Sequence, residues 1–242
     1  SNKKLDPQAI WNSVTNDKVN SISIVGDAFA KPLLKDLQAN KDKYELSSLK
    51  ALVSSGLMWS PDNKEALLEL HPGMMLRDSF GSSEALGFGS METGAGQKAR
   101  TAKFMKSENC TVFSADHKPI EPGSGEPGFV ALAGPMPVGY YKDPKKTEET
   151  FPTINGVRYS IPGDWCTIEK DGTLTLLGRG SVCINSGGEK IYPEEIEEVI
   201  KQHPATDDVL VVGVPDEKWG QAVTAVIQLE EGKDASKQEV IN

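Results

Sequence analysis

In its first third this chain alternates short β-branched runs with amphipathic helical stretches, and no other feature constrains its fold as tightly. Asp6 to Asn16 carries Ile10, Trp11 and Val14 as a helical stripe behind an Asp6-Pro7 start. Ser21 to Val25 reads as a short buried strand. Ala28 to Leu37 sets Phe29, Leu33, Leu34 and Leu37 on one helical face. Leu49 to Val53 is a second strand, closing into Ser54-Ser55-Gly56. Asp62 to Leu70 is a helix stopped by His71-Pro72-Gly73, and Met74 to Arg77 a strand opening onto Asp78 to Glu84. Such alternation predicts an α/β layer on a mainly parallel sheet, whose ligands gather at the carboxyl ends of the strands. Both small-residue loops fall there.

From about Thr101 the pattern changes. Pro122-Gly123-Ser124-Gly125, Gly134-Pro135 and Asp171-Gly172 punctuate β-rich runs such as Gly128 to Leu132 and Thr173 to Leu177, predicting a distorted β-barrel or small antiparallel sheet. After Arg179 it changes again. Pro193 starts a helix with Glu194, Glu195, Glu197 and Glu198 early and Lys201 and His203 late, an order that complements the helix dipole. Ile196, Val199 and Ile200 are its expected buried face. Asp208 to Val214 and Ala222 to Leu229 follow as strands of a small α+β unit, and Asp234 to Asn242 begins a helical pattern.

The 242 residues, 38% hydrophobic and 25% charged, suit a soluble globular protein with a real core. A net charge of -9 argues against a general nucleic-acid binder, which clusters Lys and Arg. No apolar run approaches the ~20 residues of a membrane helix, and no leader opens the chain. Cys110, Cys166 and Cys183 lack metal-ligand spacing and read as reduced thiols of a cytoplasmic protein. His71, His117 and His203 are scattered, and a zinc site is not expected.

Three segments carry the chemistry. Asp78-Ser79-Phe80-Gly81-Ser82-Ser83-Glu84 brings backbone N–H groups and hydroxyls close to an anion, with Phe80 a flat face for a base and Glu84 a hard oxygen for Mg²⁺. The plainer alternative is a polar turn with a solvated glutamate. Asp164, after Gly163, can accept from two ribose hydroxyls or cap a turn. Arg179 can bridge ribose and phosphate through its fork or form a surface ion pair of little worth. Ser55, Gly56 and Leu57 follow a strand, where small residues also serve tight packing. Gly187-Gly188 is a flexible turn, or bare backbone along which an extended ligand can lie.

The order of these segments resembles the adenylate-forming superfamily: acyl-CoA synthetases, firefly-type luciferases and peptide-synthetase adenylation domains. Ser54-Ser55-Gly56-Leu57 is similar to the family's adenine loop, and Ser79-Phe80-Gly81-Ser82-Ser83-Glu84 to its Tyr-Gly-x-Thr-Glu motif. Gly125-Glu126, Gly134 and Gly139-Tyr140-Tyr141 resemble its Gly-Glu-Leu and Gly-Tyr region, Gly163-Asp164 its Thr-Gly-Asp, and Gly178-Arg179 its hinge arginine. Gly187-Gly188-Glu189-Lys190-Ile191-Tyr192-Pro193, with Gly213-Val214-Pro215-Asp216, looks most like the acyl-CoA synthetase branch. Within it, Val25-Gly26-Asp27-Ala28-Phe29 and Asn185-Ser186-Gly187-Gly188-Glu189-Lys190 are similar to actinobacterial fatty-acid or steroid-side-chain CoA ligases.

The resemblance implies ATP, Mg²⁺, CoA and a small-molecule carboxylate as ligands. It also implies two steps, acyl-AMP formation and displacement of AMP by the CoA thiol. Catalytic roles fall to Ser83 at the α-phosphate, Glu84 on Mg²⁺, and Arg179 across nucleotide and hinge. Asp164 holds ribose, Phe80 stacks adenine, and Asp78 and Ser55 to Leu57 complete the nucleotide site. Ser79, Gly81 and Ser82 wall the acyl pocket; Gly187, Gly188 and Glu189 line the CoA path after the small unit rotates.

The implied layout is an α/β portion of the large domain at 1–115, a barrel-like portion at 116–177, a hinge at 178–181 and a truncated α+β domain at 182–242. Peripheral membrane association and homo-oligomers fit the same reading. Ser181 stands where the hinge usually has Asp or Lys, and Asn185 where many relatives have lysine. The pyrophosphate-gripping loop ending in Pro-Lys and the late Gly-Lys are not found, so the chain is expected to be a fragment truncated at both ends. ATP–pyrophosphate exchange by this polypeptide alone is expected to be nil, and robust exchange would refute that. A carrier-loading adenylation domain and a non-catalytic nucleotide-binding relative are the alternatives.

Overall fold

The computed structural model describes residues 5–180 and 183–241. Three α/β units open it: α1 (Pro7–Asp17), β1 (Ser21–Ile24), α2 (Gly26–Ala39), β2 (Ala51–Ser55), α3 (Pro61–Leu70) and β3 (Met75–Phe80). Short strands follow: β4 (Gly89–Thr93), β5 (Lys103–Lys106), β6 (Cys110–Phe113) and β7 (Gly128–Ala133). After α4 (Pro144–Thr150) come β8 (Thr153–Ile154), β9 (Val157–Ser160), β10 (Asp164–Ile168) and β11 (Thr173–Arg179). The small unit comprises β12 (Ile184–Ser186), β13 (Glu189–Ile191), α5 (Pro193–Lys201), β14 (Thr206–Asp216), β15 (Gly220–Leu229) and α6 (Lys237–Ile241).

The helices start where local chemistry says they should. The Asp6 side chain caps α1 by accepting from the Ala9 N–H at 3.1 Å, with Pro7 at the first helical position. Pro61 and Pro193 open α3 and α5 in the same way. Strands β1, β2 and β3 are parallel neighbours, as the alternation requires. Beyond β3 the sheet changes direction, because β4 pairs antiparallel with β3 and β5 antiparallel with β4. Hydrogen bonding then continues through β11, β10, β7, β9 and β8, joining the parallel and antiparallel portions in one eleven-stranded sheet that also includes β6. Gly89 permits the β4–β5 contact, since a Cβ there would stand 2.5 Å from the Met105 carbonyl oxygen.

Strand ends differ from the sequence expectation, and β1 stops at Ile24, one residue short of Val25. β2 and β3 each run past the expected end, so Ser54, Ser55, Ser79 and Phe80 are ladder residues. Pairing of Ser54 with Asp78 and of Ser55 with Ser79 holds them there. A polar sequence remains a strand when a neighbour's ladder satisfies its backbone.

One core packs α1 to α3 on β1 to β3 around Trp11, Leu33, Leu52, Leu67 and Leu76. A second fills the antiparallel portion around Phe88, Val112, Val130, Cys166 and Leu174. In the small unit Ile196 and Ile200 pack on Val209 and Val211. Val199, expected beside them, is 67% exposed. Three residues on, an α-helix has turned to a direction about 60° from Ile196, and β14, against which the helix packs, is the edge strand of its four-stranded sheet. Among the described residues no helix is long and apolar enough to cross a membrane.

Candidate active site

A cleft of about 990 Å³ opens between the carboxyl ends of β2 and β3 on one side and α5 with the start of β14 on the other. Ser55, Gly56 and Leu57 line it from the end of β2, and Ser79 to Glu84 from the end of β3. Asp164 and Arg179 enter from a third direction. They are cross-strand partners at the open end of the β10–β11 ladder, and the Arg179 Nε lies 3.5 Å from Asp164 Oδ1. Three loops distant in sequence thus face one space.

The electrostatics tie the three charged groups together. Burial pushes the Asp164 carboxyl up; Arg179 draws it back and Glu84 adds to the rise, so desolvation outweighs the half-exposed arginine. Glu84 goes the other way. The Tyr140 hydroxyl donates to Glu84 Oε1 at 2.5 Å and holds that carboxyl below the usual range, with Arg179 contributing in the same direction. At neutral pH Glu84 is therefore an anion in reach of a cation. The turn that carries it is closed by Ser82, whose backbone N–H donates to the Ala85 carbonyl at 2.8 Å and whose Oγ accepts from Ala85 N–H. Ser83 is left exposed at its tip.

Two residues expected at the nucleotide are placed differently from the sequence reading. Phe80 is only 7% exposed, its ring 5.0 Å from Phe88 and 5.1 Å from Phe104, so the core of the antiparallel portion covers the ring expected to lie open for a base. Alternation along β3 places Phe80 on the same face as buried Leu76, and apolar burial holds it there. Asp78 borders the cleft, but its carboxylate is paired at 2.6 Å with Lys64, a fully buried lysine on α3. The Lys64 ammonium also donates to the Arg100 carbonyl and lies 5.5 Å from the Trp59 ring centre. Burial raises the Asp78 carboxyl against the pull of Lys64.

Gly187, Gly188 and Glu189 do not line the cleft. Gly187 and Gly188 form the turn between β12 and β13, Glu189 opens β13, and Gly187 N–H donates to the Trp219 carbonyl at 2.9 Å. Ser181, expected at the hinge, lies outside the described residues.

Lys64, Tyr140 and Glu194 complete the surroundings and were not singled out as site residues from the sequence. Lys64 had a signal: it shares the buried face of α3 with Leu67 and Leu68, an odd position for an unpaired cation. Tyr140 had only its place in the Gly-Tyr region. Glu194 Oε1 accepts from the Arg179 backbone N–H at 3.4 Å, and its carboxylate fills the space where a Cβ on Gly178 would sit. At φ +141° that position needs glycine in any case.

Among the described residues no three His, Cys, Asp or Glu side chains cluster as a metal cage. A lone ionised carboxylate beside a nucleotide's phosphates is the usual way to hold Mg²⁺, and Glu84 fits that pattern.

Parallel strands feeding a cleft, an antiparallel extension and a small α+β unit beyond an arginine define the fold of the adenylating enzymes. The amide bond synthetase McbA from Marinactinospora thermotolerans matches with a TM-score of 0.80 at 21% identity, over 98% of this chain and 47% of that one. The anthranilate CoA ligase AuaEII in complex with anthranoyl-AMP matches at 0.78 and 22%, over 97% and 44%. A family model for the AMP-binding enzyme C-terminal domain matches residues 195–242. The 3-oxocholest-4-en-26-oate–CoA ligase of Rhodococcus rhodochrous is 49% identical over 240 residues, 96% of this chain and 43% of that protein. A medium/long-chain-fatty-acid–CoA/3-oxocholest-4-en-26-oate–CoA ligase of Mycobacterium marinum is 50% identical, over 98% and 43%. Over nearly its whole length the chain is thus similar to acyl-CoA ligases, and its fold is that of the adenylate-forming enzymes. It spans less than half the length of these curated relatives.

Proposed function

We propose that this chain is part of an ATP-dependent acyl-CoA ligase acting on a fatty-acid or steroid-side-chain carboxylate. The observation that carries the reading is the meeting of Glu84, Asp164 and Arg179 at one cleft between the two units. Relatives at about half identity bear the names of such ligases.

In this reading the substrate carboxylate attacks the α-phosphorus of ATP, releasing pyrophosphate, and the CoA thiol then displaces AMP from the acyl-AMP. The protein's work is positioning and charge stabilisation. Asp164 accepts from the ribose hydroxyls, and Arg179 spans the nucleotide and the pivot. Ser83, exposed at the turn tip, donates to the α-phosphate. Glu84 would hold Mg²⁺ beside the phosphates, and the cation would supply neutralisation of the charge that develops on the leaving pyrophosphate. Ser55 to Leu57 face the base. Ser79, Gly81 and Ser82 wall the acyl chain. Rotation of residues 182–242 about 178–181 would bring Gly187, Gly188 and Glu189 to the CoA arm.

Expression of the complete reading frame and a screen of fatty and steroid-side-chain acids for AMP release tests this. Release that requires ATP, CoA and an acid is the expected result; AMP formed without any need for an acid or a thiol overturns it. Within that assay Asp164→Ala is expected to weaken AMP binding about 10- to 100-fold, since hydrogen bonds to a charged group contribute about 1.5–3 kcal/mol. Calorimetric titration with AMP checks it.

A further inference from the structure

Behind the cleft stands a side chain that none of the roles above uses. Tyr140 is not among the residues facing the cavity, yet its hydroxyl donates to Glu84 Oε1 at 2.5 Å. The phenol arrives there because a short helix holds it from three sides. Tyr140 N–H donates to Thr147 Oγ1 at 2.8 Å, and the Thr147 hydroxyl donates in turn to the Asp143 carbonyl at 2.7 Å. Lys146 Nζ stands 4.2 Å from the ring centre, and Phe151 lies 5.9 Å away, centre to centre. The Asp143 carboxylate caps the same helix by accepting from the Lys146 N–H at 2.9 Å. Residues 140–151 therefore form a clamp that aims one O–H bond at one carboxylate oxygen.

The chemistry of that donor matters. A glutamate at a turn tip has three rotatable bonds, and fixing its rotamer costs up to about 2 kcal/mol of side-chain entropy. A neutral phenol fixes one oxygen and leaves the carboxylate its full negative charge and further lone pairs. A lysine or arginine in the same place would hold the group equally well but cancel the charge a cation needs. We infer that Tyr140 is a positioning residue that presents Glu84 to the divalent cation accompanying the nucleotide. This rests on the reading of Glu84 as the Mg²⁺ ligand.

The test is calorimetric titration of the full-length protein with ATP in the presence and in the absence of Mg²⁺, and separately with metal-free AMP. Wild type, Tyr140→Phe and Thr147→Ala are compared, with circular dichroism confirming the fold of each. Loss of a hydrogen bond to an ionised group is expected to weaken Mg²⁺-dependent ATP binding at least about tenfold in Tyr140→Phe while AMP binding stays within about twofold. Thr147→Ala is expected to shift in the same direction by less, and it decides the matter if Tyr140→Phe does not fold. Unchanged Mg²⁺–ATP affinity, or equal loss of both ligands, overturns the positioning role. A wild type that binds ATP equally with and without Mg²⁺ instead refutes the metal reading of Glu84.

Discussion

Lys64→Met is expected to lower the unfolding free energy by about 3–5 kcal/mol, the usual cost of removing one partner from a buried ion pair. Lys64 is completely buried and the Asp78 side chain only 15% exposed, so without the ammonium the carboxylate is left largely desolvated. The contact with the Trp59 ring and the bond to the Arg100 carbonyl go with it. Asp78 supplies a pH signature. Its carboxyl is already raised by burial, and without Lys64 it rises further. A raised folded-state value means the protonated acid is favoured by folding, so its contribution is full at low pH and lost as pH climbs through the folded value. The deficit of Lys64→Met relative to wild type should thus be largest near neutrality and shrink as acid protonates Asp78. Urea unfolding at several pH values measures it, and a pH-independent deficit would show that packing alone is responsible. The double change Lys64→Met with Asp78→Leu should recover most of the loss, because matched apolar groups leave no charge stranded.

The largest effect on chemistry is expected from Glu84→Gln in the full-length protein, a drop in kcat of about 10²- to 10³-fold, the scale seen when one preorganised charge-stabilising group is removed from a closed site. The amide keeps the shape of the side chain and can still accept from Tyr140, so the stability change should be small. AMP binding, which draws on Asp164 and Arg179, should hold. Single-turnover measurement of acyl-AMP formation separates this outcome from a binding defect; a kcat within a few-fold of wild type would remove Glu84 from the catalytic set.

Much of the scaffold was legible before any tertiary information. α1 to α3, β1 to β3 and α5 carry strong periodicity, with proline at the starts of α1, α3 and α5, and those signals act within a few residues of one another. The loops at the ends of β2 and β3 were equally plain, because small and polar residues interrupt apolar runs there. The strands β4, β5 and β6 were not singled out. They are only four or five residues long, and they exist because each has a neighbour to pair with. Phe80 shows the limit most clearly. As part of a motif it reads as a nucleotide-stacking ring, while strand alternation sends it into an aromatic cluster with Phe88 and Phe104.

By itself the sequence determined the order of the α/β elements of the first third, the places where the backbone turns on small residues, and which carboxylates and arginine stand at those turns. Local sterics and hydrophobic spacing suffice for that. Only the tertiary structure decided that Lys64 pairs with Asp78, that Tyr140 serves Glu84 from a position 56 residues away, and that Glu194 braces the backbone at Arg179. Those partnerships arise from sheet register and from the desolvation of charges in a shared interior, and neither quantity exists until distant segments have packed against each other.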